Sequence, residues 1–296
     1  MAIASSPLIN HVLPVWAGIS FAAIGVAYQL AATRKITPLR VFLIMAVCGS
    51  LLFAFKWTTA ESPEFSIRAM LLGVATGISQ YLAIILVGWA MRLGPFSPVW
   101  CMISLNFAPV VVYAQVIQGT RQPWTQWLAV AIAILCCILA AAGHGDNVSR
   151  PSSPRSKLLY GLLLAAVLVV NAILNISIHD LNSTGAGHLL DLFFLFMYAS
   201  IAAITFLDAA KHGEVGTTFR RGWYPGLVAS IGSVSGVISI GAASARSGPA
   251  AFLISSMVML IVPMFAAILV FRERATLRWT ATLVLGLLAI ALANFS

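Results

Sequence analysis

The stretch Arg92-Leu93-Gly94-Pro95, followed by Pro109 fourteen residues after Pro95, returns later in the chain as Arg246-Ser247-Gly248-Pro249, followed by Pro263 fourteen residues after Pro249. Each element repeats at an offset of 154 residues. Four coincident positions with the same internal spacing mark two copies of one unit. In each copy the Gly-Pro pair makes a sharp turn, and the proline opens the next helix, where its missing N–H costs nothing. Pro109 and Pro263 then fall inside the helices so opened. A proline there removes a backbone hydrogen bond and kinks the helix, freeing carbonyl groups toward a cavity.

Around these copies the composition leaves one solvent. Of 296 residues, 60% are hydrophobic and only 8% are charged, against roughly 25% charged in ordinary soluble proteins. That is too little charge to coat a soluble globule, and too apolar for disorder. A transmembrane β-barrel alternates apolar and polar residues and would not give this hydropathy. Runs of about 20 apolar residues are what a helix needs to cross a bilayer, and the chain offers ten. The first five are Val12–Ala32, Pro38–Trp57, Ala69–Met91, Phe96–Ile117 and Trp124–Ala142. The second five are Leu158–Ile178, His188–Ala209, Tyr224–Ala245, Ala250–Phe271 and Ala275–Phe295. Residues 1–143 thus make a first five-helix repeat and 158–296 a second, joined by a Pro- and Ser-rich polar linker at 144–157. Five is odd, so the second copy is inverted in the membrane. The expected fold is an all-α membrane protein of ten transmembrane helices in two inverted five-helix repeats. In such architectures the substrate site lies between the halves, near the midplane.

The segments Arg92 to Gly143 and Arg246 to Asn294 each read as a Gly-Pro turn, a proline-containing helix, a short loop and a last helix. In this the chain resembles the drug/metabolite transporter superfamily, in its ten-helix EamA-type branch. The second copy is the closer match: Val262-Pro263, then Phe271-Arg272-Glu273-Arg274 before the last helix, is similar to the family's "P … LGE" ending. The first copy has Gly119 where the second has Glu273. The resemblance implies secondary transport, with export the commoner direction, in the cell inner membrane. It does not specify a substrate.

The net charge of +9 comes from basic clusters between apolar runs, a pattern of retained loops and not of a nucleic-acid groove. Thirteen of the 17 Lys and Arg fall on the face holding the loops after the odd-numbered spans. The other four are Lys56, Arg68, Arg121 and Arg246. This bias puts both termini outside, whereas members of the resembled family often have both inside; the charge asymmetry is given precedence, because the insertion machinery responds to it. The N-terminus lacks the basic region of a cleaved signal peptide, so the first span is expected to be retained. The end-of-span residues Trp57, Trp124, Trp127, Trp223 and Trp279 read as interface anchors.

All eight acidic residues sit near span ends or in loops. Proton-coupled pumps usually keep a carboxylate at depth, so exchange of protons for drug cations is disfavoured; Asp180 and Asp191, flanked by His179 and His188, read as solvated interfacial charges. Uncharged polar groups do occur at depth: Gln80, Tyr81, Trp100, Ser104, Asn106, Asn171, Asn175, Ser233 and Ser256. An amide in hydrocarbon is costly unless it faces the bundle or a watery cavity, and Asn171, Asn175 and His179 recur every four residues, on one helix face. These nine residues are the expected binding set, with Gly94, Pro95, Pro109, Gly248, Pro249 and Pro263 as hinge positions. A lining of dipoles and aromatic faces fits a small neutral or zwitterionic metabolite, such as an amino acid. The alternatives are a multidrug or quaternary-cation exporter and a non-transporting scaffold. Gly73-x-x-x-Gly77 and Gly232-x-x-x-Gly236 read as close helix contacts, and Cys48, Cys101, Cys136 and Cys137 as packing residues. No zinc helix, nucleotide-binding loop or catalytic dyad is present, so neither enzymatic activity nor a cofactor or metal is expected. The expected partners are a small-molecule substrate and the lipid bilayer, with no nucleic acid.

Overall fold

A computed structural model describes residues 7–34, 36–94, 96–142, 154–271 and 277–294. Among them there is no strand. The helices are α1 (Pro7–Thr33), α2 (Pro38–Thr58), α3 (Ile67–Leu93), α4 (Phe96–Ser104), α5 (Ala108–Val116), α6 (Trp124–Ala142), α7 (Pro154–Ser183), α8 (Leu190–Lys211), α9 (Val215–Ser247), α10 (Pro249–Phe271) and α11 (Leu277–Asn294). Leu105–Phe107 is a 3-10 turn between α4 and α5, and Gly187–Leu189 is another before α8. Among the described residues seven segments are long and apolar enough to cross a membrane; α4 and α5 together make one of them. Three more apolar stretches, Trp124–Leu139, Pro249–Val262 and Thr280–Ala293, are shorter. The chain is a multi-pass, all-helical membrane protein. Its outer surface shows the same: Leu51, Phe55, Val116 and Ile231 are about two-thirds exposed, which suits lipid and not water.

Helices from before the linker pack chiefly on helices from after it. α1 lies along α9 and α10, α2 against α8 and α9, and α3 against α7 and α8. α4 contacts α6 and α7, α10 contacts α11, and α6 pairs with α11. Small residues set these distances. A Cβ on Gly232 would come within 2.5 Å of the Ser20 carbonyl oxygen, and one on Gly73 within 2.5 Å of that of Phe193. Gly77 approaches the Met197 carbonyl oxygen to the same degree. Both glycine pairs therefore sit where helices nearly touch, with Gly236 under the Phe21 ring, as membrane helices favour.

Several boundaries differ from those read in the sequence. The helix holding Pro109 is interrupted, not merely kinked. Pro109 has no N–H for the Leu105 carbonyl; the Ala108 N–H takes that carbonyl at 3-10 spacing instead, and α5 starts afresh with Pro109 in its first turn. Its counterpart α10 stays α-helical through position 263, so the paired prolines do not act alike. α7 begins at Pro154, making the last four residues of the expected linker helical, and runs on through Asp180. Asp180 therefore sits on a helix and not in a loop. α9 begins at Val215, nine residues before the expected span, and accommodates Pro225. Gly94 ends α3 in extended backbone, whereas Gly248 ends α9 at φ 53°, a left-handed conformation that favours glycine. Pro95, residues 143–153 and Arg272, Glu273 and Arg274 lie outside the described residues, as does the Pro263 side chain.

Candidate functional site

Where α1, α2, α3, α4, α7, α8, α9 and α10 converge, they enclose a cavity of about 170 Å³. α7 contributes Asn171 and Asn175, one turn apart on one face. α3 contributes Gln80, α4 Trp100, the 3-10 turn Asn106, α9 Ser233, and α10 Ser255 and Ser256. Seven of the nine residues expected to bind solute thus share one wall system. The other two do not line it. Ser104 is fully buried with no partner among the described residues for its hydroxyl, and Tyr81 is half-buried on α3.

The polar groups are only partly satisfied by one another, which leaves capacity for a solute. The Ser256 hydroxyl donates to Asn106 Oδ1 at 3.1 Å, joining α10 to the 3-10 turn that Pro109 enforces. The Asn171 side chain donates to the Val167 carbonyl of its own helix at 2.9 Å, so its oxygen remains available. The Gln80 amide nitrogen is buried with no partner among the described residues. A buried amide that finds no partner is disfavoured, and a polar solute in the cavity would supply one. Trp100 lays its indole across Gly25 of α1, where a Cβ would come within 3.1 Å of the ring.

Tyr198 of α8 is a wall residue that the sequence reading missed. Its hydroxyl hydrogen-bonds the Ser233 hydroxyl at 2.6 Å, and its ring stacks on Phe53 at 5.7 Å. Within Phe193-Phe194-Leu195-Phe196-Met197-Tyr198 it reads as one more apolar ring. The only cue to its polar task is a contact from another element: Gly49 of α2 leaves room for the ring, since a Cβ there would meet it at 2.7 Å. Phe21, Tyr28, Phe42, Met45 and Phe252 also line the cavity. None of the described residues lining it is acidic, basic or a histidine.

Charged groups gather at the ends of the helices instead. At one end Lys56 pairs with Asp191 at 2.7 Å, Arg68 with Asp180 at 2.6 Å and His188 with Glu64 at 3.1 Å. Tyr113 also donates to Asp180, at 2.7 Å. At the other end Arg40 forks onto Glu214 through two contacts of 2.5 and 3.1 Å. The Arg40 guanidinium holds the Glu214 carboxyl below its ordinary value. Each pair joins an element before the linker to one after it.

No family model and no curated protein matches the chain. A protein of known crystal structure is similar in fold, with a TM-score of 0.74 and 11% identity over 97% of this chain and 96% of that one. At that identity the likeness speaks of helix arrangement alone, and function must rest on the site.

Proposed function

We propose that this chain is a ten-span secondary transporter of the drug/metabolite transporter type, built as two inverted five-helix repeats. It moves a small neutral or zwitterionic metabolite, amino acids first, outward across the cell inner membrane by alternating access. The observation that supports this most is the uncharged, amide- and hydroxyl-lined cavity at the meeting of helices from both halves. Amides and hydroxyls can take an ammonium or carboxylate, while Trp100 and Phe42 take the apolar part. Its volume of about 170 Å³ is below the roughly 300–1,000 Å³ typical of sites for drug-sized ligands, which favours a small metabolite over a bulky cation.

The packing pattern supports the repeat. Exchange α1 with α7, α2 with α8, α3 with α9, the α4–α5 segment with α10, and α6 with α11. The α1–α9 contact then becomes α7–α3, α1–α10 becomes α7 with α4 and α5, and α10–α11 becomes α4–α6. The α2–α8 and α6–α11 pairs map onto themselves. A two-fold axis produces such exchange; five spans per repeat put it in the membrane plane, and rocking about it is the expected transport motion.

The test is uptake and counterflow in proteoliposomes with a pooled metabolite panel that includes quaternary ammonium compounds. Counterflow of an amino acid or related solute, diminished by Asn175→Ala, Gln80→Ala or Trp100→Ala, is the expected result. If all three variants transport normally at normal expression, the cavity is not the site. Preference for the quaternary cations, which aromatic walls also attract, would replace the metabolite reading.

A further inference from the structure

His179 continues the face of α7 that carries Asn171 and Asn175, one turn further toward the end of the helix. Its side chain is buried, at 6% exposure, and neither ring nitrogen has a partner among the described residues. The ring stands edge-on to Phe252 at 6.3 Å between centroids, and Phe252 lines the cavity. The next residue, Asp180, is held by Arg68 and Tyr113 at the end of the bundle. Arg68 is more than half exposed, so this cluster reaches water. His179 thus lies beside Phe252 of the cavity wall and one residue before a largely buried, paired carboxylate, with a donor and an acceptor both unsatisfied.

A neutral imidazole has one N–H to give and one lone pair to fill. Enclosing both without partners is unfavourable, and a packing residue would be better served by an aliphatic side chain. Imidazole is also the side chain whose proton exchange falls in the physiological range. The groups around it define what an added proton meets. Asp180, the next residue on α7, is paired with Arg68 from α3 and Tyr113 from α5. From α10 the Phe252 ring meets the imidazole in a T-shaped contact, and α4 carries no charged side chain. In the turn before α8, His188 is engaged by Glu64, and α9 ends in the exposed Arg246.

We infer that His179 is a proton-binding site that couples solute movement to a proton gradient. This rests on the transporter reading above and supplies what the missing deep carboxylate left open. In this arrangement no described group accepts from or donates to either ring nitrogen. Separation of Arg68 and Tyr113 from Asp180 opens that end, lets water reach the ring and leaves Asp180 as its counter-ion. One proton is then bound at a ring nitrogen from the water on one side while the cavity holds no solute, crosses with the solute-free site, and is released to the opposite side when solute binds there. Proton and solute alternate, so the exchange is antiport of one proton per solute.

The experiment uses the full-length protein in proteoliposomes with the solute that counterflow identifies, and an internal pH dye. For one proton per solute, a gradient of one pH unit sustains up to about tenfold accumulation, with proton movement opposite to solute. His179→Gln keeps a polar side chain that cannot titrate; it is expected to retain counterflow but lose both the accumulation and the proton movement. A second measurement needs no variant: adding solute to weakly buffered wild-type protein in detergent should release protons. Gradient-independent accumulation by wild type, a coupled His179→Gln protein, or no proton release on binding would each overturn the inference and leave the transporter reading standing. No counterflow of any solute would bring down both.

Discussion

Gly232→Ala tests whether α1 and α9 meet as closely as the cavity requires. A methyl at this position would lie 2.5 Å from the Ser20 carbonyl oxygen and 3.0 Å from the Ala23 Cβ. Neither is the end of a flexible side chain. Carbon and oxygen settle at about 3.3 Å or more, so the two helices must part by about 0.8 Å at this level. A gap of that size forfeits a quarter to a half of the dispersion energy of the contacts beside it. Overpacking of this kind costs about 1–3 kcal/mol, and alanine's better helix propensity returns about 1 kcal/mol, leaving a net loss of up to about 2 kcal/mol. Gly88→Ala is the matched control, because a Cβ at Gly88 has nothing within 4 Å; it should be neutral or slightly stabilising. The assay is thermal unfolding in detergent, read with a thiol-reactive dye that labels the buried Cys101, Cys136 and Cys137 as they become exposed. Gly232→Ala should melt below wild type and below Gly88→Ala. Ser233, the next residue, should also move off Tyr198, so solute affinity falls with stability. A Gly232→Ala protein as stable as the Gly88→Ala control would refute the close α1–α9 approach and the cavity geometry built on it.

Three further outcomes follow from the same structure. In a double-mutant cycle on unfolding, Tyr198→Phe and Ser233→Ala should couple by about 0.6 kcal/mol and by no more than about 1.7, the average and maximum for hydrogen bonds between membrane helices; additive effects would mean that the 2.6 Å bond is not formed. Pro109→Ala gives the Leu105 carbonyl its α-helical partner, and three residues rewound from 3-10 to α turn by about 60° in total. Asn106 then swings away from Ser256, so transport should fall while the melting temperature holds or rises; unchanged transport would show that the 3-10 turn does not shape the site. The Glu214 carboxyl is held below its ordinary value of 4.5 by Arg40, so the stabilisation is fully present above that pH and lost as pH falls through the lower folded-state value. Between pH 6 and 3.5 wild type should lose more stability than Glu214→Gln, and equal slopes would remove Arg40–Glu214 as a working contact.

The membrane class, the helical segments and the absence of charge at span centres were legible in the residues alone. Hydropathy and proline chemistry are local, and they act in the same way whatever the neighbours are. The glycine pairs were also readable as close contacts, since only small residues let helices approach so far. Sequence spacing went wrong where a local rule had two outcomes. Pro109 forced a 3-10 turn while α10 ran on through position 263, because the same missing N–H can be met by a tighter turn or absorbed within a continuing helix. α7 and α9 ran beyond their apolar cores, since a helix does not stop where hydropathy does.

What the sequence by itself determined was the solvent, its apolar helical segments, and a stock of polar groups too costly to face lipid. Which of those groups share a cavity was decided only by tertiary structure. Gln80, Asn106, Asn175 and Ser233 lie far apart in the chain, and their meeting depends on how each helix is rotated and how closely it is crossed by others. Ser104 and Tyr81 are of the same chemical types but turn elsewhere, while Tyr198, hidden in an aromatic run, becomes a wall through Gly49 and Ser233. Helix rotation in a bundle is fixed by contacts between segments remote in sequence, and no local pattern of residues encodes it.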